Sequence, residues 1–342
     1  MRVAVVGAGV MGAATARALA RAGHEVVVFE QFPFGHTRGS SHGESRIFRY
    51  SYPVPEYVAM AMEALPLWRE LERETGTELL RTTGGLDCGK ALDDHVRALE
   101  ECDALYEVLE PDEVEARFPW LSSEGGPALF QPDAGVIAAA RSVEAFLESA
   151  RTHGAELHDE TKVTAVDPGR DGVTITSMRG DTVADVAVIT AGAWAKPLVA
   201  PLGIDLPTRP TRETVAYFDL DEPRMTTLVE WGDPAIYSLP SNDKTLKVGE
   251  HIAGPTTDPD DESSTNEESV ARLRRWVARR FPSADDEPRY AETCIYTNTP
   301  DESFILERHG NVVIGSPCSG HGFKFAPLIG KRLAELAAGA QP

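Results

Sequence analysis

Positive charge is what this sequence most lacks: 33 Lys and Arg residues face 54 Asp and Glu, a formal net charge of −21. Nucleic acids and anionic membranes attract basic surfaces, so neither is an expected partner. Cysteine is also scarce. Cys88, Cys102, Cys294 and Cys318 are scattered, with no C-x-x-C spacing, which argues against a zinc site, a thioredoxin-type motif and a disulfide scaffold. No stretch reaches the ~18 uncharged apolar residues a membrane span requires. The opening "MRVAVVGAGVMGAATARALA" imitates a signal peptide, but glycines interrupt it and "HEVVVFE" follows at once. Strand, helix, strand is the better reading, and a reducing cytoplasm the default compartment. The histidines are too dispersed for a metal site, no G-x-S-x-G elbow occurs, and no pair of carboxylates stands out as an acid/base set.

What is present suits a globular enzyme. Of 342 residues, 42% are apolar and 25% charged, enough for a substantial core in one large domain or two interleaved ones. The densest acidic run, "TTDPDDESSTNEES" (256–269), reads as a solvated loop.

The first thirty residues carry the clearest signal. "RVAVV" (2–6) is a β-branched run expected of a strand buried on both faces of a parallel sheet. An Ala-rich helix ending near Gly23 and a second strand, "EVVVFE" (25–30), complete a βαβ unit. Gly7, Gly9 and Gly12 fill the G-x-G-x-x-G positions, and Glu30 follows where an acid can accept from ribose hydroxyls. A pyrophosphate needs backbone N–H groups at a helix N-terminus, and glycine lets the backbone approach. The acid favours a free 2′-hydroxyl, hence FAD or NAD over NADP.

The remainder does not continue as further βα units. "QFPFGHTRGSSHGESRIFRYSY" is too polar for a core strand, and a long helix spans about 55–74 with Pro66 inside it. "GAELHDETKVTAVDPGRDGVTITSMRGDTVADVAVITAGAW" reads as one strand, two antiparallel strands joined at "DPGRDG", and a buried strand "VAVIT" (186–190). The end reads as a strand "NVVIG" (311–315), the loop "SPCSGHGFKF" and a helix. A cofactor domain assembled from both chain ends and a middle piece suits a flavoprotein. The boundaries expected are 1–80, 141–209 and 294–342 for the FAD-binding domain, with 81–140 and 210–293 as the substrate domain. Read from residues alone, Cys294 is either core filling or an attachment point.

Five stretches, "VVGAGVMG", "GSSHGESRIFR", "LKVGEH", "CIYTNTPDE" and "SGHGFKF", together with "AGAW", carry a resemblance over nearly the whole length. The chain resembles the FAD-dependent amine oxidases of the monomeric sarcosine oxidase and N-methyltryptophan oxidase type. The resemblance implies an α/β fold: a Rossmann-like FAD-binding domain of the glutathione-reductase/p-hydroxybenzoate-hydroxylase type, with an α+β, mixed-sheet substrate domain. It implies that the isoalloxazine is joined through its 8α carbon to the sulfur of Cys294, with Cys318 as packing. The cofactor contacts it implies are Gly7, Gly9, Gly12, Glu30, Ser40, Ser41, Gly192, Trp194, Gly320, Gly322, Phe323 and Lys324.

The same resemblance places His42 and Arg46 over one flavin face and assigns the substrate carboxylate to Arg49 and Lys324. Arginine suits this because its planar fork makes paired, charge-assisted bonds. Lys247 is implied near flavin N5 and in the reaction with O2, and His251 and Tyr237 in the substrate pocket; His321 reads as a ligand or a loop brace, with bracing the favoured reading. Lys247 and His251 lie four apart, so a strand would put both on one face. The implied reaction is oxidation of a secondary amino acid to an imine that hydrolyses, with O2 reduced to H2O2, by a monomer. Glu44, Tyr50, Asn298 and Cys318 depart from the residues of sarcosine oxidases. That keeps cyclic imino acids such as pipecolate or proline, and a dehydrogenase passing electrons to another acceptor, as alternatives.

Overall fold

A computed structural model describes residues 1–241, 244–262 and 264–340. Strand β1 (Arg2–Val6), helix α1 (Val10–Arg21) and strand β2 (Glu25–Phe29) form the βαβ unit. They sit in a six-stranded sheet ordered Ile305–His309, Val312–Ser316, Val186–Ile189, β1, β2, Glu156–His158. All its pairings are parallel except the outermost, between Ile305–His309 and Val312–Ser316. The sheet is thus built from both ends of the chain and its middle.

Alternation along β1 explains why this sheet is buried on both sides. Val3 and Val5 face a core shared with α1 and the helices Ala139–Thr152 and Ala326–Ala337, whereas Ala4 and Val6 face Val163, Val166, Val173 and Ile175. The latter belong to a three-stranded antiparallel sheet, Val163–Pro168, Val173–Ser177 and Gly180–Ala184. Only two of these strands are expected from the sequence. The third lies at the sheet's edge with mostly exposed residues and shows no apolar alternation. The edge strand Ile305–His309 is likewise not among the expected strands; it turns through Gly310 and Asn311 onto Val312–Ser316.

The second layer is an eight-stranded mixed sheet. Its order is Pro288–Asn298, Arg209–Asp219, Thr245–Glu250, Ile236–Pro240, Thr227–Trp231, Gly85–Gly89, Ala128–Gln131, Glu107–Leu109. Ala216, Phe218, Leu246 and Val248 pack against Leu273, Trp276 and Val277 of the helix Glu267–Arg280. Their strand neighbours, Val215 and Lys247, turn the opposite way, toward the cofactor layer. The strand Pro288–Asn298 runs through Cys294 without a break, opposite Glu213, so a boundary at 294 falls inside this sheet.

Two expectations about polar segments are corrected. The stretch judged too polar for a strand contains one, Ser45–Phe48, which pairs with Gly135–Ala138 in a small sheet completed by Leu80–Thr82. The acidic run 256–269 is a loop only as far as Asn266, apart from residue 263, which lies outside the described residues. Asn266 then caps the helix Glu267–Arg280 by accepting from the N–H groups of Glu268 and Ser269, and two glutamates in the first turn complement the helix dipole.

Candidate active site

Between the two layers lies a cavity of about 2180 Å³, well beyond the ~300–1,000 Å³ of an ordinary small-molecule pocket. Every residue expected at the site borders it except Gly12, which stands behind the wall.

One end is a nucleotide cradle. Gly7 has φ +98, and a Cβ there would lie 2.6 Å from the Thr190 carbonyl oxygen. A Cβ on Gly12 would lie 1.8 Å from the Gly7 carbonyl oxygen, so its part is to let helix and strand close. Glu30 is buried, its carboxylate accepting from Ala8 N–H at 2.9 Å and Phe32 N–H at 3.0 Å. Ser41 Oγ accepts from Val10 N–H at 3.0 Å, at the N-terminus of α1. Gly192 and Trp194 form the short turn after Val186–Ile189, with the indole N–H donating to Asp260 at 2.8 Å. A glycine turn, a helix N-terminus, a buried acid and this volume fit a dinucleotide.

The middle of the cavity gathers cations. The Arg46 guanidinium donates to the carbonyls of Ser45, Ser40 and His42 at 2.8, 2.9 and 2.7 Å, which locks the loop 40–46. It also lies 5.5 Å from the Phe323 ring centroid. Both ring nitrogens of His42 are buried with no hydrogen-bond partner among the described residues. Burial, reinforced by Arg46, lowers its pKa to about 4, so the ring is neutral near pH 7. Two orphaned ring nitrogens in a cavity wall fit a polar ligand there. Lys247 is buried, its Nζ 3.5 Å from the Ser45 carbonyl and 3.9 Å from Glu292. Burial and then Arg46 lower its pKa to about 8, against Glu292.

Cys294 Sγ lies 3.9 Å from the Ser40 carbonyl oxygen, and Ser40 Oγ donates to the Ile295 carbonyl. Cys318 Sγ is 4.0 Å from Ser40 Oγ and accepts from Thr297 N–H at 3.3 Å. The two thiols therefore flank one serine, with Cys318 already engaged by the backbone. Burial raises the Cys294 pKa, while Arg46 and Lys247 pull the other way.

The far end holds Arg49 and Lys324, both nearly inaccessible. Lys324 Nζ donates to the Tyr52 hydroxyl at 2.7 Å and the His321 carbonyl at 2.8 Å. Arg49 lies over the rings of Tyr52 and Trp231, at 4.4 and 4.9 Å, and 3.6 Å from buried Asp87. Burial and Arg49 together push the Lys324 pKa far down, and no carboxylate among the described residues offsets them.

His321 sits in the loop entering the last helix. Its Nε2 is 3.1 Å from the Glu302 carbonyl and its Nδ1 3.3 Å from the Tyr52 hydroxyl. A carbonyl only accepts, so Nε2 carries the proton and Nδ1 accepts from Tyr52. Burial lowers the His321 pKa to about 3. A Cβ on Gly322 would lie 1.7 Å from the Pro317 carbonyl oxygen, and one on Gly320 2.2 Å from the Tyr296 ring. Phe323 stacks parallel to Trp68 at 6.4 Å.

His251 lies just past the strand Thr245–Glu250 and pairs with Glu302 at 3.2 Å. Tyr237, opposite Gly249 in the sheet register, has its pKa pushed up to about 12 by burial.

Sequence reasoning missed Tyr52, Asp87, Trp231, Tyr217 and Glu292. Only Glu292 carried a signal: it precedes Cys294 by two, a strand period that puts both on one face.

Comparison with known proteins agrees with this geometry. Residues 2–336 match the family described as FAD dependent oxidoreductase. The chain is 35% identical to monomeric sarcosine oxidase of Bacillus sp. (strain B-0618), covering 98% of this chain and 91% of that protein. It is 35% identical to the peroxisomal sarcosine oxidase of Homo sapiens, covering 97% and 91%. Its fold superposes on NikD, an unusual amino acid oxidase essential for nikkomycin biosynthesis, with a TM-score of 0.89 and 26% identity, over 99% of this chain and 94% of that one. A match of this extent, on a chain whose cavity pairs a dinucleotide cradle with buried cations, places the protein in the FAD dependent oxidoreductase family.

Proposed function

We propose that this enzyme oxidises a secondary amino acid, sarcosine or another N-methyl amino acid, to an imine that hydrolyses, with O2 reduced to H2O2. The observation that carries this is the placement of Arg49 and Lys324: two buried basic side chains meeting at Tyr52, with Asp87, beside Arg49, the one carboxylate paired with them among the described residues. A buried charge is costly unless paired, and a substrate carboxylate supplies the missing anion. The sarcosine oxidase relatives support the same substrate class.

FAD, when bound, supplies the two-electron acceptor. The residues that would hold it are Gly7, Gly9, Glu30, Ser40, Ser41, Gly192, Trp194, Gly320, Gly322, Phe323 and Lys324, with Gly12 closing the turn behind them and Cys294 as the point of covalent attachment. Arg49 and Lys324 orient the amino acid by its carboxylate, while His251 and Tyr237 shape the pocket around the rest. The amine must react unprotonated, because an ammonium has no lone pair to assist C–H cleavage. Arg46, Arg49 and the protonated Lys247 disfavour an ammonium in the same space. Lys247 presents its charge where O2 acquires negative charge.

No helix among the described residues is long and apolar enough to cross a membrane. All four cysteines are free, which supports a reducing, cytoplasmic setting, and we take the working unit to be a monomer. The test is a screen of sarcosine, larger N-methyl amino acids, proline and pipecolate for peroxide release. Sarcosine or an N-methyl amino acid is expected to be the best substrate. Turnover of proline or pipecolate alone would replace this substrate assignment, and substrate oxidation without peroxide would make the enzyme a dehydrogenase.

A further inference from the structure

Among the described residues, Lys247 is poorly served by hydrogen bonds. Its Nζ reaches one carbonyl, Ser45, at 3.5 Å, and stands beside the permanently charged Arg46 in a buried wall. An ammonium in such a place loses its proton unless an anion holds it. Glu292 meets that need. Its Oε1 is 3.9 Å from Lys247 Nζ and accepts from the Tyr217 hydroxyl at 2.5 Å. A Cβ built on Gly43 would lie 3.3 Å from Glu292 Oε1, 3.6 Å from Arg46 Nη1 and 3.8 Å from Lys247 Nζ, so the three charged groups converge on one point.

The sheet makes this arrangement deliberate in its geometry. Lys247 pairs with Tyr217 in the register, Tyr217 pairs with Tyr290, and Glu292 follows Tyr290 by two on the same face. Tyr217 is fully buried and stacked on Tyr290, with ring centroids 4.3 Å apart. The hydroxyl that fixes Glu292 is therefore itself fixed. We infer that Glu292, held by Tyr217, is the counter-ion that keeps Lys247 protonated, and so acts as a positioning residue for the reaction with O2.

The other groups facing Lys247 among the described residues do not take this part. From the loop 40–46, Arg46 and the neutral His42 supply no negative charge. Glu44 bonds Ser241 at 2.5 Å and acts on Lys247 more weakly than Glu292. From the Pro288–Asn298 strand, burial keeps the Cys294 thiol protonated, or it is consumed by attachment. From the neighbouring strands, the phenols Tyr217 and Tyr237 have raised pKa values and stay neutral.

This rests on the role given to Lys247 above, and the experiment separates the two. Full-length holoenzyme carrying [13Cε]lysine is titrated by NMR, the Lys247 signal being assigned by its loss in Lys247→Arg. The wild-type signal is expected to titrate near pH 8. Removing an opposite charge at this range moves a pKa by about one to three pH units. Glu292→Gln is thus expected to lower the Lys247 midpoint by about one unit or more, Tyr217→Phe by less, and Glu44→Gln least. The pH profile of flavin reoxidation by O2 should move by the same amount. An unchanged midpoint in Glu292→Gln, with the other lysine signals undisturbed, overturns the inference. A moved midpoint while Lys247→Met reoxidises normally supports the counter-ion but removes the oxygen role from the lysine.

Discussion

Lys324 Nζ donates to the Tyr52 hydroxyl at 2.7 Å, and that hydroxyl in turn donates to His321 Nδ1 at 3.3 Å. The chain has one direction, because His321 Nε2 is committed to the Glu302 carbonyl. Tyr52 thereby aims the lysine into the cavity while its ring carries Arg49 at 4.4 Å. One residue organises both proposed carboxylate ligands.

Arg49→Lys is expected to raise KM for a carboxylate substrate ~10- to 100-fold, since a charge-assisted hydrogen bond contributes about 1.5–3 kcal/mol. Steady-state kinetics with an amino acid and its decarboxylated amine decides the matter. The variant should lose its preference for the acid, and an unchanged ratio would detach Arg49 from substrate recognition.

Cys294→Ala is expected to abolish flavin fluorescence that stays with the denatured polypeptide, while Cys318→Ala leaves it. Cys318 is occupied by Thr297 N–H, and burial holds Cys294 beside Ser40. The reverse pattern would move the attachment to Cys318.

Lys247→Met is expected to slow flavin reoxidation by O2 ~10²-fold, the usual cost of losing a group aimed at developing negative charge, and to affect reduction by substrate much less. In the wild type the oxidative half-reaction should slow as pH rises through about 8, where the lysine loses its proton. Rapid mixing of each half-reaction separately measures this. Equal slowing of both would contradict the assignment.

Stability is expected to fall on mild acidification. His42 and His321 titrate in the native state at about 4 and about 3, against 6.5 unfolded. Between those values the unfolded chain binds more protons, so stability is fully present above ~6.5 and lost as pH falls toward the native values. Each pH unit inside that window costs ~1.4 kcal/mol per histidine. Denaturant unfolding at pH 7 and 5 should show the loss, and His42→Gln should reduce it.

How far the sequence speaks depends on where each contact is made. The βαβ unit is legible because its signals are local: the run 2–6, the glycines, the acid at 30. The strand Ser45–Phe48 was hidden because its arginine faces the cavity and its pairing partner, Gly135–Ala138, lies far along the chain. The edge strand Gly180–Ala184 was hidden because an exposed edge needs no apolar alternation. Lys247, Cys294 and Lys324 could be named from motifs, but Tyr52, Asp87 and Trp231 become neighbours only when three separate segments pack. Local chemistry was readable; the supports brought by tertiary packing were not.

The most direct test mixes the purified yellow protein with sarcosine and other N-methyl amino acids without oxygen, and follows the visible flavin absorbance. The expected result is bleaching by at least one of them, with the colour returning and H2O2 appearing when air is admitted. A flavin that keeps its colour with every secondary amino acid tried would contradict the account.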